Sequence, residues 1–297
     1  MSECELCPRM CGADREHGKR GFCGETNEIR AARAALHMWE EPCISGKEGS
    51  GTVFFTGCTL RCVFCQNHEI AASKIGKVIT SEHLAEIFLQ LQEKGANNIN
   101  LVTPTQFVPQ IVRALRMAKE QGLMLPIVYN TGGYERVETL KMLEGLVDIY
   151  LPDLKYFNAE HAKKYSMAED YPEVAKLALE EMVRQVGAPV FDERGIMKRG
   201  VIVRHLLLPG CLADAKRVVT YLYETYGDQI YISLMSQYTP LGTLDVEKYP
   251  ELNRTVPAYA YERLIDYALS LGVTQAFIQE GDVAKESFIP PFTLEGL

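Results

Sequence analysis

The chain has 297 residues, 47% hydrophobic, 24% charged and 9% aromatic, with 31 Lys and Arg against 39 Asp and Glu and a formal charge of −8. That length holds one large domain or two smaller ones and needs no staples to bury a core, while the acidic balance argues against a general nucleic-acid binder or a protein of anionic membrane surfaces. No basic and then apolar run opens the chain, and the longest apolar stretch, Val201 to Leu208, is broken by Arg204 and His205; the expected setting is soluble and cytoplasmic, with no secretory signal and no membrane span.

In chain order, residues 1–47 read as a cysteine-rich module holding five of the nine cysteines and ending in the flexible run Ser45-Gly46-Lys47-Glu48-Gly49-Ser50-Gly51. Residues 29–41 suit a short helix by propensity and an extended segment by spacing. From residue 48 to 297 a second unit is expected. Thr52 to Thr56 reads as a buried strand, and residues 81–94 as a helix with Leu84, Ile87, Phe88 and Leu91 on one stripe and Gly95 as its stop. Ile99 to Val102 is a strand, followed by a helix carrying Val108, Ile111, Val112 and Leu115 and ended by Gly122. Pro126 to Tyr129 is a strand, 135–144 a short helix, Val147 to Leu151 a strand, and helical residues run to about 186. Val201 to Leu208 is a strand, 212–226 a helix and Ile230 to Met235 a strand. Pro257 opens a helix with Tyr261, Leu264, Ile265 and Ala268 inward, Gly272 stops it, and Ala276 to Ile278 is a last strand.

Alternating strands and helices make an α/β fold with a parallel sheet under helices, and the nearly continuous apolar strands are those of a sheet buried on both faces. A doubly wound sheet and a partial barrel both satisfy this pattern. In either, ligands sit at the C-terminal ends of the strands.

Directly after the first of these strands stands Gly57-Cys58-Thr59-Leu60-Arg61-Cys62-Val63-Phe64-Cys65-Gln66-Asn67, three thiols spaced C-x3-C-x2-C. An odd cysteine count argues against a disulfide framework. Structural zinc takes four ligands, and a [4Fe–4S] cluster that only moves electrons takes four cysteines; a compact trio leaves one iron open. This motif after the first strand of a β/α pattern resembles the signature of radical S-adenosylmethionine (SAM) enzymes, most closely the pyruvate formate-lyase activating enzyme branch. The resemblance spans about residues 50–280. It rests also on Cys65-Gln66-Asn67, on Asn130-Thr131-Gly132-Gly133, on the segment ending Asp153-Leu154-Lys155, and on Val203-Arg204-His205 before Pro209-Gly210.

The resemblance implies a partial (β/α)6 barrel, a [4Fe–4S] cluster on Cys58, Cys62 and Cys65, and SAM on the open iron, cleaved to a 5′-deoxyadenosyl radical that abstracts hydrogen. It implies SAM contacts from Gln66, Asn130, Asp153, Lys155 and Arg204, with Phe64 placed to pack on the adenine. Where the family carries a Gly-Gly-Glu-like segment, this chain has Leu101-Val102-Thr103-Pro104-Thr105; Thr103 is the expected contact there, and another acid would supply the missing charge. The partner it implies is a glycyl radical enzyme, with a flavodoxin or ferredoxin as reductant. A small molecule or a peptide is the alternative substrate, and a non-catalytic iron–sulfur carrier or zinc-stabilised binding module, with Cys43 or Cys211 as fourth ligand, is the reading from another class.

Read from the residues alone, Arg204 interrupts an apolar strand, and a buried Arg is costly unless paired. Asp153 and Lys155 follow the neighbouring strand at the same rim, so these three form either a polar cradle or a structural ion-pair network. Gln237 and Tyr238 are weaker candidates on the substrate side. At the N-terminus Cys4, Cys7, Cys11 and Cys23 give C-x2-C-x3-C-x11-C. Four thiols suit a closed zinc site that folds an otherwise coreless tail, or a second iron–sulfur cluster; zinc is slightly favoured because it uses all four. His17 and His37 are expected to be surface residues.

Overall fold

A computed structural model describes residues 4–278 and 290–297; Met1 to Glu3 and part of the expected C-terminal tail lie outside the described residues. Ten strands are found among those described: β1 (Ile29–His37), β2 (Ser50–Phe55), β3 (Lys77–Ile79), β4 (Ile99–Val102), β5 (Ile127–Thr131), β6 (Ile149–Pro152), β7 (Val190–Phe191), β8 (Met197–Leu206), β9 (Tyr231–Met235) and β10 (Ala276–Ile278). The helices are α1 (Pro42–Ser45), α2 (His68–Ala71), α3 (Ser81–Glu93), α4 (Val108–Glu120), α5 (Val137–Lys141), α6 (Ala159–Ser166), α7 (Tyr171–Val186), α8 (Leu212–Tyr226) and α9 (Ala258–Leu271).

The sheet runs β10-β9-β8-β6-β5-β4-β2-β1-β3, with β7 pairing β8 as a side hairpin. From β2 to β10 every neighbouring pair is parallel. Within that parallel part the spatial order follows chain order without the reversal that a doubly wound sheet requires. The alternative left open by periodicity is thereby resolved: this is a singly wound partial barrel. Among the described residues its path ends at β10 on one side and β3 on the other, without closing.

The two sheet faces bury different things. Tyr129, Tyr150, Val201 and Val203 join the large core with Leu84, Ile87, Phe88 and Leu91 of α3 and Ile111, Val112 and Leu115 of α4. Each such side chain, fully buried, contributes about 1.5–3 kcal/mol. Their neighbours Val128, Ile149, Leu151 and Ile202 face the other way, into a smaller cluster with Cys43 and Ile44 of α1, as the two-residue period of a strand demands. Because β1 is antiparallel to β2 and its end, His37, lies opposite Ser50, the chain reaches α1 at the N-terminal ends of the parallel strands. Asn98 fastens α1 there by donating to the Ile44 carbonyl at 2.8 Å. This short helix is the floor of the barrel.

One open reading is settled and three expectations are corrected. Residues 29–37 are a strand: their alanines pack between β2 on one side and, on the other, β3 and the C-terminal tail, whose Leu294 N–H donates to the Ala32 carbonyl at 3.1 Å and whose Glu295 carbonyl accepts from Ala34 at 2.8 Å. That covering protects an edge from stray pairing. The glycine run 45–51 is pinned, since Gly49 donates to Ser45 O and Gly51 to Asn98 O. The helix expected over 135–144 contracts to α5, and the helical stretch to 186 is split by Met167 in the left-handed region (φ 53°). Among the described residues no helix is long and apolar enough to cross a membrane.

Candidate active site

The thiol loop leaves β2 at its C-terminal end and is held mainly through its backbone. Gly57 takes φ +78°, and a Cβ there would stand 2.7 Å from the Cys23 carbonyl, so glycine is required by both conformation and space. Cys65 N–H donates to Cys62 O at 3.1 Å and Val63 N–H to Tyr165 O at 2.9 Å. Ser166 donates its hydroxyl to Cys62 Sγ at 2.9 Å, and the Leu60 N–H points at Cys58 Sγ at 3.4 Å. Gln106, 2% exposed, donates its amide to Thr56 O at 2.7 Å and Thr103 O at 2.8 Å, tying the roots of two loops together. Burial raises the pKa of Cys62, with Lys155 opposing, and burial together with the two other thiols raises that of Cys65. Crowded, desolvated thiols of this kind become thiolates by binding metal.

The N-terminal cysteines lie near one another. A Cβ added to Gly21 would meet Cys11 Sγ at 3.2 Å and Cys23 Sγ at 3.5 Å, while burial, with Cys23 and Cys4 adding to it, pushes the Cys7 thiol up to about 12. The fold around them is tied by Gly12 N–H to Cys4 O and Met10 N–H to Cys7 O. Among the described residues, neither this set nor any other group of three His, Cys, Asp or Glu side chains closes on a single point as one ion requires.

Inside the barrel mouth, Arg204 is the centre of a charge network. Its Nε donates to Asp153 Oδ1 at 2.8 Å, Nη2 to Asn130 Oδ1 at 2.7 Å and Nη1 to Glu40 Oε2 at 3.4 Å. Lys155 Nζ reaches Asp153 Oδ2 at 2.5 Å, and Asn130 donates to Glu40 Oε1 at 3.2 Å. Against the burial that would raise it, Arg204 and Lys155 hold the Asp153 carboxyl below the usual carboxylate range. Burial raises Glu40, and it pushes Glu41 up to about 7 although Arg204 pulls down. Three carboxyls share two cations, and burial raises the two acids of the floor, Glu40 and Glu41, while Asp153 is held down.

The structure therefore brings Asn130, Asp153, Lys155 and Arg204 together, beside Cys62. Thr103 sits at the same rim in the left-handed region (φ 55°), its N–H on Asn130 O. Gln66 is exposed and donates to the Gln237 carbonyl at 3.3 Å across the mouth. Phe64 is 7% exposed and packs edge-on against Tyr156 and Tyr238. Tyr238 is buried and spends its hydroxyl on Leu252 O. Cys43 lies in the floor with Ile44, at the opposite end of the strands. Cys211 precedes α8, its Sγ facing Pro209 O at 3.8 Å. His17 is exposed and paired with Asp14 at 2.8 Å; His37 is half-buried, edge-on to Phe54. Sequence reasoning missed Glu40 and Glu41, whose two adjacent acids look like surface, and Glu135, which is 2% exposed. Glu135 accepts from Thr105 Oγ1 at 2.6 Å and from Thr131, so a buried acid from beyond β5 stands against the altered Thr103-Pro104-Thr105 segment.

Fold and thiol loop together define a partial α/β barrel carrying an iron–sulfur-type loop at its C-terminal mouth. Residues 52–198 match the Radical SAM superfamily. The chain is 28% identical over 277 residues to an uncharacterized protein of Methanocaldococcus jannaschii, covering 90% of this chain and 75% of that one. It is 26% identical over 209 residues to the pyruvate formate-lyase-activating enzyme of Clostridium pasteurianum, covering 68% of this chain and 79% of that one. Among solved structures, SuiB of Streptococcus suis bound to its precursor peptide SuiA matches with a TM-score of 0.52 at 15% identity, over 76% of this chain and 47% of that chain. Methylornithine synthase matches with a TM-score of 0.51 at 16% identity, over 74% of this chain and 60% of that chain. These two likenesses concern the fold alone. The chain belongs to the radical SAM superfamily, in the part of it related to the pyruvate formate-lyase-activating enzymes.

Membership implies a [4Fe–4S] cluster and SAM. By donor chemistry, the three thiols of the Cys58–Cys65 loop are the set such a cluster would take, one iron to each, whereas zinc would gather its sulfurs on one centre at about 2.3 Å.

Proposed function

We propose that Cys58, Cys62 and Cys65 hold the cluster and that this enzyme abstracts hydrogen from a glycine of a partner glycyl radical enzyme. When bound, the cluster and SAM supply the electron and the 5′-deoxyadenosyl radical. The chain's own residues bind and orient. Lys155 and Arg204 offer cationic groups to a carboxylate, and Asp153, held ionised between them, offers an acceptor to ribose hydroxyls or an ammonium. Asn130 fixes the Arg204 fork, Gln66 and Thr103 border the same mouth, and Phe64, held edge-on by Tyr156 and Tyr238, would pack on the adenine. The carrying observation is Lys155 and its ion pair with Asp153 standing beside Cys62 at the rim of an unclosed sheet. An open side is what a peptide loop needs to reach a reacting atom at the mouth.

The N-terminal thiols Cys4, Cys7, Cys11 and Cys23 would hold a second cluster or, on converging further than they do in this structure, zinc in this reading, and a flavodoxin or ferredoxin would deliver the electron. Incubation with SAM, reductant and a candidate glycyl radical enzyme, followed by electron paramagnetic resonance, tests the substrate. A glycine-centred doublet supports the reading. Turnover of SAM with no doublet on any such partner, but with modification of a peptide or small molecule, replaces it.

A further inference from the structure

The two thiol groups, far apart in function as read from the sequence, are interlocked by one aromatic ring. Phe22, next to Cys23, meets two guanidinium groups: Arg9, from between Cys7 and Cys11, stands 4.2 Å from the ring centroid, and Arg61, from between Cys58 and Cys62, stands 4.6 Å from it. Each arginine also ties its own loop across the boundary. Arg9 Nε donates to Thr59 O at 2.8 Å and Nη2 to Ser166 O at 3.1 Å; Ser166 is the residue whose hydroxyl meets Cys62 Sγ. Arg61 donates to Phe22 O while its own backbone is held in the left-handed region at φ 57°, a conformation that a bulky side chain adopts only when its surroundings impose it. The Cys58 N–H donates to the Cys23 carbonyl at 3.2 Å, and Thr56 Oγ1 donates to the buried Glu25 carboxylate at 2.7 Å.

We propose that Phe22, Arg9 and Arg61 are positioning residues for the cluster on Cys58, Cys62 and Cys65, so that the N-terminal thiol set acts as the outer wall of the catalytic loop. The inference rests on the functional reading of that loop. Guanidinium–aromatic contacts are directional and weaken when the ring is lost even if its volume is kept. Groups that orient metal ligands from behind typically change metal affinity or activity by about 10–100-fold when replaced. The stack stands where such groups stand: it fixes Arg61 inside the C-x3-C turn and, through Ser166, the environment of Cys62.

The test compares the parent with Phe22→Leu, Phe22→Tyr, Arg61→Leu and Cys7→Ser after anaerobic reconstitution with iron and sulfide. Two quantities are read: iron retained against a ferrous chelator, and the change that SAM makes in the resonance spectrum of the reduced protein. Phe22→Leu, Arg61→Leu and Cys7→Ser are expected to retain the SAM-responsive cluster about 10-fold less well, with an altered spectrum, while Phe22→Tyr, which keeps the ring face, follows the parent. A parent-like spectrum and iron retention in Phe22→Leu overturns the inference. Should Phe22→Leu fail to unfold cooperatively, Arg61→Leu decides by the same outcomes, since Arg61 is exposed. A parent with no SAM-responsive signal overturns the functional reading and this inference with it; a responsive parent with equally responsive variants overturns this inference alone.

Discussion

The thiol loop and the Arg204 network sit at the same mouth and are stabilised in different ways. The loop is held by backbone hydrogen bonds, a glycine that tolerates no Cβ and contacts borrowed from residues 9–25. The network is held by charge: Arg204 binds Asp153, Asn130 and Glu40 at once, with side chains of Arg204 and Asp153 only 16% and 17% exposed. The loop's geometry is therefore sensitive to shape, whereas the network's is sensitive to charge balance and pH. A site that must present both a metal and an ionic cofactor needs both kinds of control.

Substitutions that separate the two should rank accordingly. Cys62→Ala removes a corner of the cluster and is expected to abolish formation of 5′-deoxyadenosine from SAM, measured chromatographically, while leaving the unfolding midpoint near the parent's. Arg204→Met leaves the Asp153 and Glu40 carboxyls buried beside an apolar side chain and is expected to cost about 3–5 kcal/mol in denaturant unfolding. A loss below about 1 kcal/mol would mean that the network is not balanced by this residue.

The pH effect is expected next in size. The folded Glu41 carboxyl is pushed up to about 7 from 4.5 by burial, so the folded state binds the extra proton and stability falls as pH rises from about 4.5 to 7. The span corresponds to roughly 3 kcal/mol. Glu41→Gln should flatten that part of the stability profile and raise stability above pH 7; an unchanged slope would exclude Glu41 as its source. Smallest of all, Thr80→Ala removes the acceptor that caps α3 through the His83 N–H at 3.1 Å, at a cost of about 1 kcal/mol. Lying outside both regions, it should leave SAM cleavage untouched.

Much of this was legible because the signals were local. The stripes on α3 and α4, the strand at Ile99–Val102 and the thiol spacing are properties of a few consecutive residues. Arg204 was marked by being the wrong residue for a buried strand. What escaped was set by distance along the chain. Nothing in Glu40-Glu41 says that an antiparallel first strand will deliver them to the barrel floor, and nothing near Phe22 says that Arg61 will reach it. The alanine-rich 29–37 segment has no preference strong enough to choose strand over helix; β2, β3 and the tail choose for it. The barrel, too, needed the pairing order of the strands, which periodicity does not carry.

The central claim is that the cubane on Cys58, Cys62 and Cys65 keeps one iron for SAM. Its most direct measurement is the resonance spectrum of the anaerobically reconstituted, reduced Cys4→Ser/Cys7→Ser/Cys11→Ser/Cys23→Ser protein and of the parent, each recorded before and after SAM is added. The account predicts a SAM-dependent change of the signal in the parent, its persistence in weakened form without the N-terminal thiols, and release of 5′-deoxyadenosine. A cluster signal in the parent that SAM leaves unchanged, with no 5′-deoxyadenosine formed, would contradict it.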